Sequence, residues 1–310
     1  MTRPFRFGWQ ITSEHESTQS NSASPTEAAR RAESLGFDVF LASDHVGPGD
    51  SPMVLLAAAA QATTTLRVGT FVLNSDMRNP VQLAWEAATI DRLSDGRFEL
   101  GLGAGHTPHE YAQTGTALHP PAERKAALSE RVEIIRQLLD GDAVDWAGEH
   151  HTLSGAQIDR AANKRLPILV GGNGDALLAH AAQHANIIGL QGLGRTKEDG
   201  HRHSVKWSAA HLDAQVDHVR TSAGERADEL ELNALVQVVE ITDDVETAED
   251  RVLERAEGLS REDLRCTPYV LIGSVGEIVE KLQMCRERWG ISYFAVRELD
   301  AFAPVIAASR

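Results

Sequence analysis

The feature that most constrains the fold of this chain is an alternation of short apolar runs with longer amphipathic or Ala-rich stretches. Runs of β-branched and aromatic residues bounded by turn residues are typical of strands, and apolar residues at helical spacing are typical of helices. The eight predicted strands are Phe5–Ile11, Val39–Ala42, Leu66–Leu73, Arg97–Gly103, Pro167–Val170, Ile187–Leu190, Leu230–Ile241 and Ser292–Val296. Nearly every strand is followed by a predicted helix, so the pattern indicates repeated βα units.

The stretches between these strands predict helices. The first has Ser24 as a plausible N-cap and Pro25 at its first helical position, which are the residue types that favour a helix start. The predicted helices are Pro25–Leu35, Val54–Thr63, Val81–Leu93, Pro121–Leu139, Asp175–His184, Val205–Ser222 and Val275–Arg288.

Eight βα units predict an α/β protein with a closed (β/α)8 TIM barrel, and no break in composition divides residues 1–310 into two domains. The usual barrel of roughly 250 residues leaves about 60 residues here for insertions. One candidate insertion, Gly141–Arg165, lies between strands four and five. A doubly wound open sheet is the competing fold, but it usually has a Gly-rich fingerprint after its first strand, and the stretch ITSEHESTQSNSAS after Gln10 contains no glycine.

Charge and composition restrict the partners. The chain has 30 Lys and Arg against 45 Asp and Glu, a formal charge of −15, which would repel nucleic acid. Its longest uncharged stretch, Ser51–Leu66, is too short to span a bilayer, and Met1–Gln10 lacks the apolar core of a signal peptide. The two cysteines, Cys266 and Cys285, show no metal or disulfide spacing. We therefore expect a cytoplasmic protein without nucleic-acid or membrane partners.

A candidate catalytic pair follows the second strand. Active sites of these barrels gather at the C-terminal ends of the strands, and Asp44 and His45 stand at such an end. A histidine there can carry a proton or donate a hydrogen bond near a reacting group. The alternative is that His45 only caps a loop.

Glycine-rich loops follow strands four and five. Alternating glycines let a ligand approach the backbone, and free amides at a helix start can bind phosphate. The loop residues singled out are Gly103, Ala104, Gly105, Gly171, Gly172, Asn173 and Gly174. Either loop alone could instead serve close strand–helix packing. Together, at one end of a barrel, they favour a phosphorylated cofactor or substrate.

Other common site types are disfavoured. His180 and His184 stand four apart on a predicted helix, but no HExxH motif, cysteine cluster or nearby carboxylate pair completes a metal site. The serine motif GxSxG and the Walker A loop are also absent from the sequence. The sequence therefore predicts no metal site.

Four blocks together resemble the bacterial luciferase-like monooxygenase superfamily, in particular its branch of oxidoreductases that use the deazaflavin coenzyme F420. The longest block combines a strand, an Asn-Pro helix start, an LSDGR turn and a Gly-rich strand end, an order that is hard to reach by chance. The blocks are AARRAESLGFDVFLASDH (Ala28–His45), TLRVGTFVLNSDMRNPVQLAWEAATIDRLSDGRFELGLGAG (Thr65–Gly105), PILVGGNG (Pro167–Gly174) and IGSVGEIVEKL (Ile272–Leu282).

The resemblance implies a (β/α)8 barrel with an insertion between strands four and five that covers the site, and commonly a homodimer. It implies that His45, accompanied by Asp44, lies near the reacting centre of the flavin. It also implies that Phe71–Val72 forms a non-prolyl cis peptide supporting one face of the flavin. The glycine-loop residues named above would approach the ring, ribityl and phosphate parts of the cofactor.

Two positions depart from the members that oxidise a sugar phosphate. Those members resemble one another in a Trp four residues past the His and an acid directly after the GxGxG run, where this chain has Gly49 and His106. A sugar dehydrogenase is therefore disfavoured. The resemblance implies an F420-dependent oxidoreductase that transfers hydride to or from a small organic substrate. An FMN-dependent monooxygenase acting on paired donors and a non-catalytic flavin-binding protein remain the alternatives.

Overall fold

The structure is a computed structural model that describes residues 3–11, 24–47, 49–159, 165–196, 203–256 and 258–310. Its strands are β1 Arg6–Ile11, β2 Val39–Ala42, β3 Arg67–Thr70, β4 Leu73–Asn74, β5 Phe98–Gly103, β6 Val144–Ala147, β7 Thr152–Ala156, β8 Ile168–Gly171, β9 Ile187–Leu190, β10 Leu193–Thr196, β11 His203–Val205, β12 Glu231–Leu235, β13 Val238–Ile241, β14 Val270–Gly273 and β15 Ile291–Val296. Its α-helices are α1 Pro25–Ser34, α2 Pro52–Ala62, α3 Pro80–Leu93, α4 Pro108–Thr114, α5 Pro121–Asp140, α6 Asp175–His184, α7 Ala209–Ala223, α8 Val245–Leu253, α9 Arg261–Cys266, α10 Val275–Trp289 and α11 Leu299–Ser309.

Eight of these strands close the predicted barrel. In the order β1, β2, β3, β5, β8, β9, β12 and β15, each pairs in parallel with the next, and β15 pairs in parallel with β1. The predicted start of α1 is confirmed, because Ser24 and Glu27 form a reciprocal capping box and Pro25 is the first helical residue. No helix among the described residues is long and apolar enough to cross a bilayer.

Apolar residues alternate between the two faces of the barrel strands, as a period of two requires. The smaller core cluster includes Val39 and Leu41 of β2 together with Tyr293 and Ala295 of β15, and it fills the inside of the barrel. The larger cluster includes their neighbours Phe40 and Phe294 and packs between sheet and helices. The barrel is therefore a packed core rather than a pore.

A buried ionic cluster lies at the N-terminal ends of the strands. The guanidinium of Arg6 binds the carboxylates of Glu99 and Glu231, at 2.5 Å for Glu231, and Arg67 Nε lies 2.5 Å from Glu99. The two guanidinium groups outweigh the burial of Glu99 and hold its pKa below the usual value. Because Arg6 also stacks 4.5 Å from the ring centroid of Tyr293, this end of the barrel is filled.

Three predicted boundaries were wrong. The predicted strand Leu66–Leu73 is interrupted after Thr70 by a cis peptide between Phe71 and Val72. The predicted strand Leu230–Ile241 is two strands, because the amides of Gln237 and Val238 both bond Tyr269 O and lead β13 out of the barrel to pair with β14. The helix predicted from Val205 begins at Ala209, where the Ser208 side chain caps it.

The stretch Gly141–Arg165 contains an antiparallel hairpin, β6–β7, and residues 160–164 lie outside the described part. The hairpin packs on α5, where the Glu130 carboxylate accepts hydrogen bonds from the amides of Glu149, His150 and His151. None of its described residues lines the cavity described below. His106 and Glu110, which also lie between the fourth and fifth barrel strands, do line it, so the part of this connection at the site is the segment around α4.

Candidate active site

A cavity of about 860 Å³ opens at the C-terminal ends of the strands, opposite the ionic cluster. Its floor is formed by residues at or just past the strand ends, and its walls by α4, α8 and the β10–β11 hairpin. The floor residues include Gln10, Asp44, Phe71, Val72, Gln191, Leu235 and Arg297, and the wall residues include Glu110, His203, Val205 and Arg251.

His45 is held at the cavity by a buried carboxylate. Its Nδ1 lies 2.7 Å from Glu110 Oε1, and the side chain of His45 is 43% exposed while that of Glu110 is only 4% exposed. Glu110 is in the first turn of α4, which begins at Pro108 and ends at Gly115 in the left-handed conformation (φ +69°). A carboxylate at Nδ1 fixes the ring orientation and the tautomer, so proton exchange with a substrate would use Nε2.

Asp44 also lines the cavity, and its carboxylate contacts the loop that follows β3. Its carboxylate accepts a hydrogen bond from the Asn74 amide at 2.8 Å and pairs with Arg78, whose Nη1 lies 2.9 Å from Oδ2. The pairing of Asp44 with His45 as a catalytic pair stays a prediction. The side chain of Asp44 is engaged in holding the loop after β3, and Glu110 supplies the carboxylate that binds the imidazole.

Two further imidazoles stand beside His45. The His106 ring lies edge-on at 6.1 Å from the His45 ring centroid and 5.1 Å from that of His203. Burial, together with the neighbouring His203 and His45, lowers the pKa of His106 to about 4. His106 is therefore neutral at neutral pH, and it presents a neutral imidazole where sugar-phosphate oxidising members carry an acid.

The cis peptide expected from the resemblance is present at Phe71–Val72. Gln10 Nε2 donates to Phe71 O at 2.6 Å. Val72 packs where Cβ atoms added to Gly103 and Gly171 would lie, at 2.6 Å and 2.9 Å from its side chain. These two glycines therefore make room for Val72, and only through Val72 do they shape the cavity floor.

Three buried polar atoms of cavity-lining residues, one of them the donor Trp207 Nε1, lack a hydrogen-bond partner among the described residues. The other two are the acceptor Gln10 Oε1 and the donor Asn74 Nδ2. A buried polar atom without a partner costs about 1–3 kcal/mol, so a ligand that offers both a donor and an acceptor would be stabilised here.

The remaining loop residues lie around the cavity rather than all within it. Gly105 lines it in the left-handed conformation (φ +70°), where a Cβ would meet Asn74 and the Tyr111 hydroxyl at 2.3 Å. Ala104 contributes its carbonyl to Arg124 Nε at 3.3 Å.

The predicted phosphate loop, Gly171–Gly174, leads into α6, and none of its four residues is part of the cavity lining. Lys125 Nζ donates to Asn173 O at 2.7 Å, and the Asn173 side-chain amide donates to Leu193 O. Lys125 thus places a cation beside this loop, and the sequence pattern did not identify it.

The most important residue that sequence reasoning missed is Glu110. It lies 65 positions from its partner His45, on a short helix inside the βα connection. A signal for it exists, namely an acid in the first turn of a Pro-initiated helix directly after a Gly-rich strand end. Gln10 was also passed over, although it is the next-to-last residue of the predicted first strand.

Comparison with known proteins agrees with this architecture. The model of a family described as luciferase-like monooxygenase matches residues 5–292. A relative named F420-dependent glucose-6-phosphate dehydrogenase from Mycobacterium avium (strain 104) is 35% identical over 205 residues, 62% of this chain and 61% of the relative. The chain matches about half to three-fifths of the length of the curated relatives.

Two solved structures share the fold at low identity. The coenzyme F420-dependent tetrahydromethanopterin reductase from Methanopyrus kandleri superposes with a TM-score of 0.73 at 19% identity, covering 98% of this chain and 97% of the reductase. A long-chain alkane monooxygenase superposes with a TM-score of 0.75 at 17% identity, covering 99% of this chain and 91% of the other.

Proposed function

This chain belongs to the luciferase-like monooxygenase family, and we propose from that premise that it is an oxidoreductase that uses the deazaflavin coenzyme F420. It transfers hydride to or from a small organic substrate. The observation that carries the proposal is the His45–Glu110 pair at 2.7 Å, placed on the wall of a cavity whose floor includes Phe71, Val72 and Leu235. The relatives named as F420-dependent dehydrogenases support the choice of coenzyme.

The cavity fits the ring system of such a cofactor. Its volume of about 860 Å³ is within the range of cofactor sites, and Phe71, Val72 and Leu235 give it an apolar floor. A deazaflavin ring carries carbonyl and N–H groups along its pyrimidine edge, which match the unpartnered Gln10 Oε1 and Asn74 Nδ2. These residues would hold the ring, and Gly105 leaves the backbone close to it.

When bound, the cofactor would accept or give the hydride, and the protein would supply orientation and proton transfer. In the oxidation of an alcohol, His45 Nε2 takes the hydroxyl proton as the C–H bond breaks. In the reverse direction it returns that proton to the carbonyl oxygen. Glu110, which is buried, stabilises the charge that His45 gains in the first case. The neighbouring His106 stays neutral and adds no opposing charge at neutral pH.

The substrate class is inferred from the groups around His45. Directly after the glycine run this chain has His106 instead of an acid, but Glu110 provides a carboxylate for His45 from four positions further along. An alcohol–carbonyl pair is therefore compatible with this site. The neutral His106 and Gly49 still separate it from the sugar-phosphate pattern, so we favour a small alcohol or carbonyl compound without a phosphate.

A second candidate is an FMN-dependent monooxygenase acting on paired donors. The family description and the structural similarity to an alkane monooxygenase favour it. A third, a non-catalytic flavin-binding protein, is disfavoured because a protein without chemistry has no need for a buried carboxylate fixing an imidazole at the cavity.

One experiment separates these candidates. Apoprotein is titrated with coenzyme F420 and with FMN, and binding is followed by the change in cofactor absorbance or fluorescence. Turnover is then tested anaerobically with the deazaflavin and a panel of alcohols and ketones, and aerobically with reduced FMN. Preferential F420 binding with anaerobic turnover that is lost in His45→Ala supports the proposal. Oxygen-dependent turnover with FMN would support the FMN-dependent monooxygenase instead. Binding without turnover in either assay would favour the non-catalytic flavin-binding protein.

We also propose that the protein is a cytoplasmic homodimer that pairs through the face formed by α2 and α3. Val54 of α2 is 70% exposed and Trp85 of α3 is 60% exposed, and the exposed side of α2 continues with Ala58. A helix that is apolar on nearly all sides is usually covered. Trp85→Ser combined with Val54→Ser should convert the dimer to a monomer in analytical ultracentrifugation, and a wild-type monomer would contradict the proposal.

A further inference from the structure

We propose that Glu133, His180 and His184 form a binding site for a divalent transition-metal ion, with zinc as the best match, in the groove between α5 and α6. One ligand atom from each residue lies within 4.8 Å of the other two, and all three side chains are partly buried. Among the described residues, no other group of three or more His, Cys, Asp or Glu side chains meets this geometry.

The two helices bring the three residues together for simple geometric reasons. His180 and His184 are one turn apart on α6, so they share a face of that helix, and their rings are stacked at 4.4 Å. Glu133 comes from the adjacent helix α5, and its Oε1 lies 2.8 Å from His180 Nε2. The sequence showed the His pair but not Glu133, because the third ligand is 47 positions away.

This donor set is the one that zinc prefers. Two imidazole nitrogens and one carboxylate oxygen, with water in the fourth position, are a common zinc coordination sphere. Tetrahedral bonds of about 2.1 Å place ligand atoms about 3.4 Å apart. One pair of ligand atoms is 2.8 Å apart and no pair is more than 4.8 Å apart, so the side chains must rotate to reach that spacing.

The charged residues around the proposed site limit its affinity for zinc. Arg226 lies close enough to interact electrostatically with His184, and it donates hydrogen bonds to the carbonyls of Ala182 and Ala185 at the end of α6. This positive charge opposes a cation, so Glu133 is needed to balance it. None of the three ligands lines the cavity, so a zinc ion bound here would link α5 to α6 outside the candidate active site.

The test measures zinc binding by the full chain. Protein treated with EDTA and dialysed is titrated with zinc chloride in a calorimeter, and the wild type should bind one zinc ion per chain. His184→Ala, His180→Ala and the isosteric Glu133→Gln should each weaken this binding at least tenfold. His119→Ala is the matched control, because the exposed His119 pairs with Glu123 at 2.9 Å and belongs to no three-residue group among the described residues. It should bind zinc as the wild type does.

A second variant excludes the cavity histidines as the zinc site. His106→Ala should leave zinc binding unchanged if the metal lies between α5 and α6. Bound zinc should also raise the melting temperature of the wild type, but not of His184→Ala, by a few degrees when zinc is in hundredfold excess over its dissociation constant. No binding to the wild type, equal binding to wild type and His184→Ala, or loss of binding in His106→Ala would each overturn the proposal.

Discussion

Replacing Glu110 with Gln isolates the charge that the structure places behind His45. The side chain keeps its size and can still accept the Nδ1 hydrogen bond that now spans 2.7 Å, so the imidazole should keep its orientation. What is lost is the negative charge of a carboxylate that is only 4% exposed. The variant therefore tests electrostatic stabilisation rather than geometry.

The expected size of the effect follows from the contact. A hydrogen bond with one ionised partner contributes about 1.5–3 kcal/mol, and here the carboxylate acts most strongly when His45 becomes positively charged as it takes the proton. If that stabilisation is present only in the transition state, its loss lowers kcat by about 10- to 150-fold. Because Glu110 is not expected to touch the cofactor, the dissociation constant of coenzyme F420 should change less than twofold.

The assay measures kcat with one substrate from the change in deazaflavin absorbance. Each variant is also characterised by a cofactor-binding titration and by thermal unfolding. Glu123→Gln is the matched control, because it removes the charge of a carboxylate paired with His119 at 2.9 Å on the surface. It should leave kcat unchanged. A folded Glu110→Gln enzyme with a kcat within threefold of the wild type would refute the role assigned to the pair.

Three further outcomes are expected. His45→Ala should lower turnover by about 10²- to 10⁴-fold while cofactor affinity and melting temperature change little; a large loss of stability with normal residual turnover would mean that His45 only packs its loop. Gly172→Asp should weaken cofactor binding at least tenfold by titration, and its effect should exceed that of Gly172→Ala. A Cβ at this position displaces Leu177 in both variants, but only the Asp carboxylate repels the phosphate of the cofactor. Glu33→Gln should lower the free energy of unfolding by about 1–2 kcal/mol at pH 7 in urea titrations, because the Glu33 carboxylate accepts hydrogen bonds from the amides of Thr64, Thr65 and Leu66. These bonds lower the pKa of Glu33 to about 2 in the folded state, so this stability is present above the unfolded pKa near 4.5 and is lost as the pH falls from there towards 2. The difference between wild type and Glu33→Gln should therefore narrow at pH 4, and a constant difference would contradict the assignment.

The barrel could be predicted from the sequence because its signal is local and repeated. Each strand shows its own apolar run, and the parallel order then follows from the βα connections. The errors in the predicted boundaries occur where a long-range contact determines the end of a strand. The break after Leu235 depends on Tyr269 O, which binds the amides that follow, and a run of apolar residues contains no sign of that partner.

The candidate site was also predicted only in part from the sequence. His45 and the glycine loops were identified because position at a strand end is itself informative in a barrel. The partner of His45 was not, because adjacency along the chain suggested Asp44. The Asp44 carboxylate contacts Arg78 and the Asn74 amide, whereas the His45 ring contacts Glu110.

Buried carboxylates occur at both ends of this barrel, and the residue that each one contacts explains their different roles. At the N-terminal end Glu99 contacts Arg6 and Arg67, whose guanidinium groups do not titrate in the physiological range, so the charges there can only hold the strands together. At the C-terminal end Glu110 contacts an imidazole, the one side chain whose ordinary pKa lies near neutrality, so the same carboxylate can support a proton that comes and goes. A glutamate in the sequence does not reveal which of these roles it has. The role is fixed by the residue that the fold brings to it, and for Glu110 that residue is His45.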